Sequence, residues 1–211
     1  MPDVELVIRT MAQTIVSNEA YFSQLDAVVG DGDFGCSLAR GFSAVLADID
    51  KFDRTSVGAF LKKVALVISS RVGGASGPLW GTAFLRAAAA AGDKTFLTPA
   101  DTVALLRAAA AGIGQRGGAV LGDKTLLDAL VPAIDSLEAG HGVAAVERAA
   151  QAARSAAQAT VNLVAKKGRA SYTGERSLGS PDAGAIAIAV IFESISAAWR
   201  ERHAASEEEP S

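Results

Sequence analysis

Three aspartates, Asp26, Asp31 and Asp33, stand within eight residues of one another in the stretch LDAVVGDGDFG at 25–35. Carboxylates set so close repel one another unless a cation neutralises them. Their hard oxygens suit Mg²⁺ or Ca²⁺, and Mg²⁺ commonly takes few carboxylates, filling its other positions with water and phosphate. The alternative is a solvated acidic turn in which Asp33 caps the next helix. Two Mg²⁺ ions would set four positive charges against the three carboxylates and a nucleotide's phosphates, with backbone N–H groups at the following helix start donating from the other side. That is the general arrangement of phosphoryl transfer, where positioning and charge neutralisation carry most of the catalysis.

Three more glycine-rich polar loops follow, at Gly73–Gly77, Arg116–Thr125 and Gly168–Gly184. Glycine is costly inside helices but admits left-handed backbone and close ligand approach. Gly73-Gly74-Ala75-Ser76-Gly77 runs into a helix at Pro78, either as a phosphate cradle built of N–H groups and the Ser76 hydroxyl or as an ordinary turn. In the third loop Asp123 is expected to cap the next helix. In the fourth, Arg169 offers a fork to phosphate, with a surface arginine–glutamate pair as the alternative. Gly30–Gly35 and Gly112–Gly117 both fit G-x-G-x-x-G, yet neither follows a strand, and Asp31 and Asp33 would repel bare pyrophosphate. An EF-hand fails because Phe42 stands where the bidentate glutamate belongs.

These loops need a scaffold, and the rest of the chain reads as helix. Half of the 211 residues are apolar, aromatics are few and alanine recurs throughout, which favours closely packed helices. Apolar periodicity predicts eight helices, near 3–22, 35–48, 55–71, 78–91, 98–115, 123–138, 142–166 and 182–202. Thr98-Pro99-Ala100-Asp101 marks one start, with an N-cap, a first-turn proline and an acid at the positive helix end. Strand signals are poor. The expectation is an all-α domain over 1–203 with a disordered acidic tail at 204–211. If consecutive helices alternate in direction, every second connection lies at one end, which gathers all four loops there.

Net charge is −3 and no segment concentrates Lys and Arg, so nucleic-acid binding through a basic face is not expected. Cys36 is the single cysteine, read as a small inert side chain, and no internal disulfide can form. Asp3 and Glu5 stand where a secretory signal carries positive charge, and apolar stretches break before membrane-spanning length. A cytoplasmic chain without membrane partners is expected. His141 and His203 are expected at the surface.

The chain resembles the nucleotide-binding L subunit family of dihydroxyacetone kinases. The resemblance rests on LDAVVGDGDFG at 25–35, GGASGPLWGT at 73–82, GDKTLLDAL at 122–130 and KGRASYTGERSLGSPDAG at 167–184, which occur in the family's order and span nearly the whole chain. It implies an antiparallel eight-helix barrel with ADP and two Mg²⁺ at one end. Asp26, Asp31 and Asp33 would be the metal ligands. Nucleotide contacts would come from Phe34, Gly35, Cys36, Ser37, Ala75, Ser76, Gly117, Leu126, Arg169, Asp182, Ala183 and Gly184. The family usually has His or Thr at position 34, Asn at 37 and Pro at 183. No catalytic base is implied within the chain, because in such systems a separate K subunit holds dihydroxyacetone on a histidine. The implied reaction passes the terminal phosphoryl group of ATP to that substrate, with ADP rephosphorylated by a phosphohistidine M subunit in phosphotransferase-linked forms. The alternatives are an ATP-dependent component for another short ketose such as erythrulose, or a nucleotide sensor that binds a regulator. A homodimer is a further assembly compatible with the resemblance.

Overall fold

The computed structural model describes residues 1–207, with side chains to Ala204; the end of the acidic tail, expected to be disordered, lies outside the described residues. Among the described residues there are nine α-helices and no strand: α1 (Pro2–Ser17), α2 (Glu19–Ala27), α3 (Phe34–Asp48), α4 (Val57–Arg71), α5 (Ser76–Ala91), α6 (Pro99–Gly117), α7 (Leu127–Glu138), α8 (Gly142–Ala159) and α9 (Ala183–Glu207). The all-α expectation holds, and the differences lie at helix ends.

The first predicted helix divides at Asn18. Its side-chain amide and its backbone N–H both donate to the Thr14 carbonyl, at 2.8 and 3.1 Å, so the residue ends α1 and α2 sets off anew. The helix predicted over 142–166 stops at Ala159 because buried Thr160 turns its hydroxyl onto the Ala157 carbonyl and accepts the Asp182 N–H at 2.9 Å. The helix predicted from 123 begins only at Leu127, since Lys124 has a left-handed φ of 61°. Two starts follow their cap signals. Ser56 accepts the Ala59 N–H, and Thr98 and Asp101 form a reciprocal capping box.

Helices pack mainly on their sequence neighbours, α3 on α4, α4 on α5 and so on to α8 on α9, and α9 returns to α1. Phe22, Phe42, Phe60, Ile15, Leu38, Ile134 and Ile191 are fully buried. Each contributes roughly 1.5–3 kcal/mol by leaving water. Phe42 meets Trp80 edge-on, with ring centroids 5.8 Å apart. By contrast α8 buries only alanines, Ala145, Ala149, Ala150, Ala153 and Ala157, which lets its backbone lie close to α7 and α9. Helix α9 is long and apolar enough to cross a membrane, but Ala185–Ala189 and Ile191 are buried in the core. His141 is exposed as expected, whereas His203 is half-buried with its ring 4.7 Å from that of Trp199.

Candidate functional site

Asp26 sits in the last turn of α2, and the chain then folds back sharply, with the Val29 and Gly30 N–H groups donating to the Asp26 carbonyl at 3.2 and 2.6 Å. A Cβ at Gly30 would strike the Asp26 carboxylate, so this glycine leaves room for the carboxylate to lie over the loop. Gly32 takes φ 75°, a conformation side chains resist, and turns Asp31 and Asp33 to the same side as Asp26. One oxygen from each of the three carboxylates lies within 4.8 Å of the others. Asp33 occupies the N-cap position of α3 but makes no side-chain cap bond, which removes the bland role considered for it. Asp26 is half-buried, and Asp31 and Asp33 are exposed. Clustered hard oxygens with open faces suit a divalent ion that keeps places for water and phosphate.

The positive charge now facing this cluster is Arg169. Its guanidinium pairs with Asp31 and lies 3.5 Å from Asp33, so the surface arginine–glutamate pairing is not adopted. Arg169 opens a 3-10 segment, Arg169–Ser177, inside the fourth loop. The four loops therefore meet in a closed circuit. The first reaches the fourth through Asp31 and Arg169. The start of α3 faces the second where the Ser37 hydroxyl lies 3.3 Å from the Cβ position of Gly73. Leu79, just past the second, lies 3.2 Å from that of Gly117 in the third. The third touches the fourth at Lys124, whose ammonium donates to the carbonyls of Ser177 and, at 2.7 Å, Ser180; just ahead of the fourth loop, Lys166 and Lys167 lie 3.5 and 3.9 Å from the Asp123 carboxylate.

The third loop departs from expectation. Asp123 does not cap α7; it accepts the Val120 N–H at 3.1 Å within its own turn. Asp128, the second residue of α7, reaches back to accept the N–H groups of Gly122 at 2.5 Å and Thr125 at 2.7 Å. Lys124 is buried, 2% exposed, and its ammonium donates to the carbonyls of Leu163 at 3.1 Å, Ser180 at 2.7 Å and Ser177. Neither Asp128 nor Lys124 had a local signal beyond its place in GDKTLLDAL, because their partners are carbonyls and amides rather than side chains.

Residues expected at a nucleotide fall into two groups. Ala75 and Gly117 are exposed, and Ser76, Ala183 and Gly184 are half-buried at helix starts. Gly35, Ser37 and Leu126 are buried; at Gly35 a Cβ would meet the α2 backbone, 2.6 Å from the Ser23 nitrogen. Phe34 turns its ring towards Phe22, with centroids 6.4 Å apart, and half-buried Cys36 directs its thiol to the Asp33 carbonyl at 3.4 Å. Asp182 caps α9 by accepting the Ala185 N–H at 2.8 Å. The residue keeps some exposed surface, yet burial of its carboxyl group pushes its pKa up to about 7, against the opposing pull of the Ala185 N–H.

The DAK2 domain model matches residues 28–197, and the chain belongs to that family. Within it the similarity runs through DhaL. The ADP-binding subunit DhaL of the PEP-dependent dihydroxyacetone kinase of Escherichia coli is 40% identical over 198 residues, covering 91% of this chain and 94% of that one. The L-erythrulose 1-kinase of Mycolicibacterium smegmatis is 36% identical over 92% of this chain but only 35% of its own length. The crystal structure of the dihydroxyacetone kinase from C. freundii in complex with AMP-PNP and Mg²⁺ superposes with a TM-score of 0.76 at 26% identity, over 92% of this chain and 33% of that kinase. The chain thus spans about a third of the solved kinase.

Proposed function

We propose that the chain is the nucleotide-carrying L subunit of a dihydroxyacetone kinase, with Asp26, Asp31 and Asp33 holding Mg²⁺ and the surrounding loops holding ADP or ATP. The observation that carries this reading is the convergence of the three carboxylates within 4.8 Å at the meeting point of four glycine-rich loops. When bound, two Mg²⁺ ions would screen the phosphate charge and act as Lewis acids. The chain's own part is positioning. Arg169 lies beside the acids, where its guanidinium can meet phosphate oxygens. The helix starts at Phe34, Ser76 and Ala183 follow directly on the first, second and fourth loops and bring positive dipole ends to them.

The chain brings no catalytic base, and the substrate is presented by a K-type partner. The loops offer a surface for one: Val28, Val120, Leu121, Leu178 and Tyr172, the last 88% exposed, stand out from the first, third and fourth loops. A phosphohistidine M subunit would recharge ADP, as the description of the E. coli relative as PEP-dependent suggests. The cell cytoplasm is the matching location. An erythrulose kinase component is the second reading, favoured by the similarity to the erythrulose kinase; the higher identity to the E. coli subunit, 40% against 36%, favours the first.

Calorimetry should show ADP binding only when Mg²⁺ is present, and Asp31→Ala should abolish it. The isolated chain should not phosphorylate dihydroxyacetone. Reconstitution with K- and M-type partners, comparing ATP with phosphoenolpyruvate, then identifies the donor. Binding of ADP by Asp31→Ala as tight as by the wild type would end the metal-bridged reading.

A further inference from the structure

Lys124 combines three unusual properties. It is a lysine almost without solvent exposure, it adopts a left-handed φ of 61°, and no carboxylate lies within ion-pair distance of its ammonium among the described residues. A buried cation is tolerated only when its hydrogen bonds are all made. Here three carbonyls, from Leu163, Ser177 and Ser180, take up the three N–H donors of the ammonium. Those carbonyls lie 39, 53 and 56 residues further along the chain, and they bracket the segment that carries Arg169.

The local turn is built to send this side chain inward. Asp128 accepts the Gly122 and Thr125 N–H groups on either side of Lys124, which fixes the turn and stabilises the left-handed residue at its apex. The fourth loop is otherwise held by few contacts to the helices. The Gly179 N–H donates to the Val161 carbonyl at 2.9 Å, the Ser177 hydroxyl accepts the Ala165 N–H at 2.9 Å, and Lys166 donates through its N–H to the Asp123 carbonyl at 3.0 Å. The first two are internal to residues 161–179, and the loop's far end is tied to the end of α8, where the Asp182 N–H donates to the Thr160 hydroxyl at 2.9 Å. Lys124 and its neighbour Asp123 are therefore the third loop's hold on it.

We infer that Lys124 is a positioning residue for the nucleotide end: its ammonium pins the fourth loop, and so places Arg169 beside the acidic loop and Asp182 at the start of α9. The inference rests on the nucleotide-site reading above. Arginine is a poor substitute, because a planar fork cannot meet three carbonyls converging on one point. Methionine keeps the length but leaves the Leu163 and Ser180 carbonyls without the ammonium donor and the Ser177 carbonyl with only the Ser180 hydroxyl.

The test uses the full chain with Lys124→Met and Lys124→Arg, and three readouts. Mn²⁺ titration without nucleotide reads the carboxylates alone. ADP titration at saturating Mg²⁺ reads the completed site, and amide exchange reads the loop. The expected result is ADP affinity at least tenfold weaker, Mn²⁺ affinity unchanged or tighter, and faster exchange over 163–180 but not in α4 or α5. Unchanged ADP affinity with a lowered melting temperature would make Lys124 a stability element only and overturn the inference. Parallel loss of Mn²⁺ and ADP binding would overturn it too, since the acidic loop would then be the part disturbed. If Lys124→Met does not fold, Lys124→Arg carries the same test. Asp31→Asn run alongside separates the two readings: ADP–Mg binding that survives there refutes the metal site, whatever the Lys124 variants do.

Discussion

Replacing Asp31 by asparagine should separate the stability of the empty protein from that of the loaded one. At 4.8 Å in a water-like dielectric, each pair of carboxylates costs about 0.9 kcal/mol, so neutralising Asp31 relieves about 1.7 kcal/mol from two pairs. Loss of the half-exposed pair with Arg169 returns up to about 1 kcal/mol. Part of the repulsion also survives unfolding, because Asp31 and Asp33 remain close along the chain. The net gain is about 0–1 kcal/mol, a melting temperature unchanged or raised by up to about 4 °C in metal-free, low-salt buffer. The loaded protein behaves oppositely. ADP–Mg at a hundredfold excess over its Kd adds about 2.7 kcal/mol to the wild type, roughly 5–11 °C, and adds nothing to the variant. Thermal scans with and without ADP–Mg give all four numbers. A variant that melts well below the wild type when empty would show that the carboxylate is a structural fixture, and a retained ADP–Mg shift would show that it is no metal ligand.

Arg169→Gln should act in two directions, tightening Mn²⁺ binding in the absence of nucleotide by about fivefold while weakening ADP–Mg; the removed charge is worth about 1 kcal/mol near 4 Å, and parallel titrations of both ligands check the sign. Asp182 holds its proton up to about 7 in the folded state, whereas the unfolded chain releases it near 3.8, so this group makes stability fall as pH rises between those values. Asp182→Asn should therefore flatten the difference between urea midpoints measured at pH 5 and pH 8, and an undiminished difference would assign that dependence to other groups. Gly35→Ala forces a methyl group into the α2 backbone, so it should lower stability by about 1–3 kcal/mol and weaken ADP–Mg binding together; denaturation and calorimetry on the same preparation test the coupling.

What the sequence made legible was what depends on local composition. The acidic loop could be read because charge repulsion and glycine spacing act over a few residues, and the structure brings its three carboxylates together. The gathering of four loops could be read because it needs only alternating helix direction. Asn18 was hidden because apolar periodicity continues across it, although its side chain competes for the Thr14 carbonyl. Asp128 and Lys124 both fell within the helix expected near 123–138 and drew no separate reading. Their roles arise from backbone groups that become neighbours only after the helices pack, in the case of Lys124 across 39–56 residues. Asp123 was assigned a cap that it does not make; Asp128 instead reaches back to hold the turn before α7 through the Gly122 and Thr125 N–H groups.

The ion pair between Asp3 and Arg202, 3.0 Å apart, ties the beginning of α1 to the last turns of α9, and the Met1 amino group donates to the Thr95 carbonyl in the α5–α6 turn. Both ends of the described chain thus meet on the side remote from the loops, where the turn at 139–141 also lies. A circular permutant that joins these ends with a short glycine–serine bridge and opens at Gly140 would leave every loop of the mouth uncut. Reordering the helices in this way rewires connectivity without touching the four-loop surface.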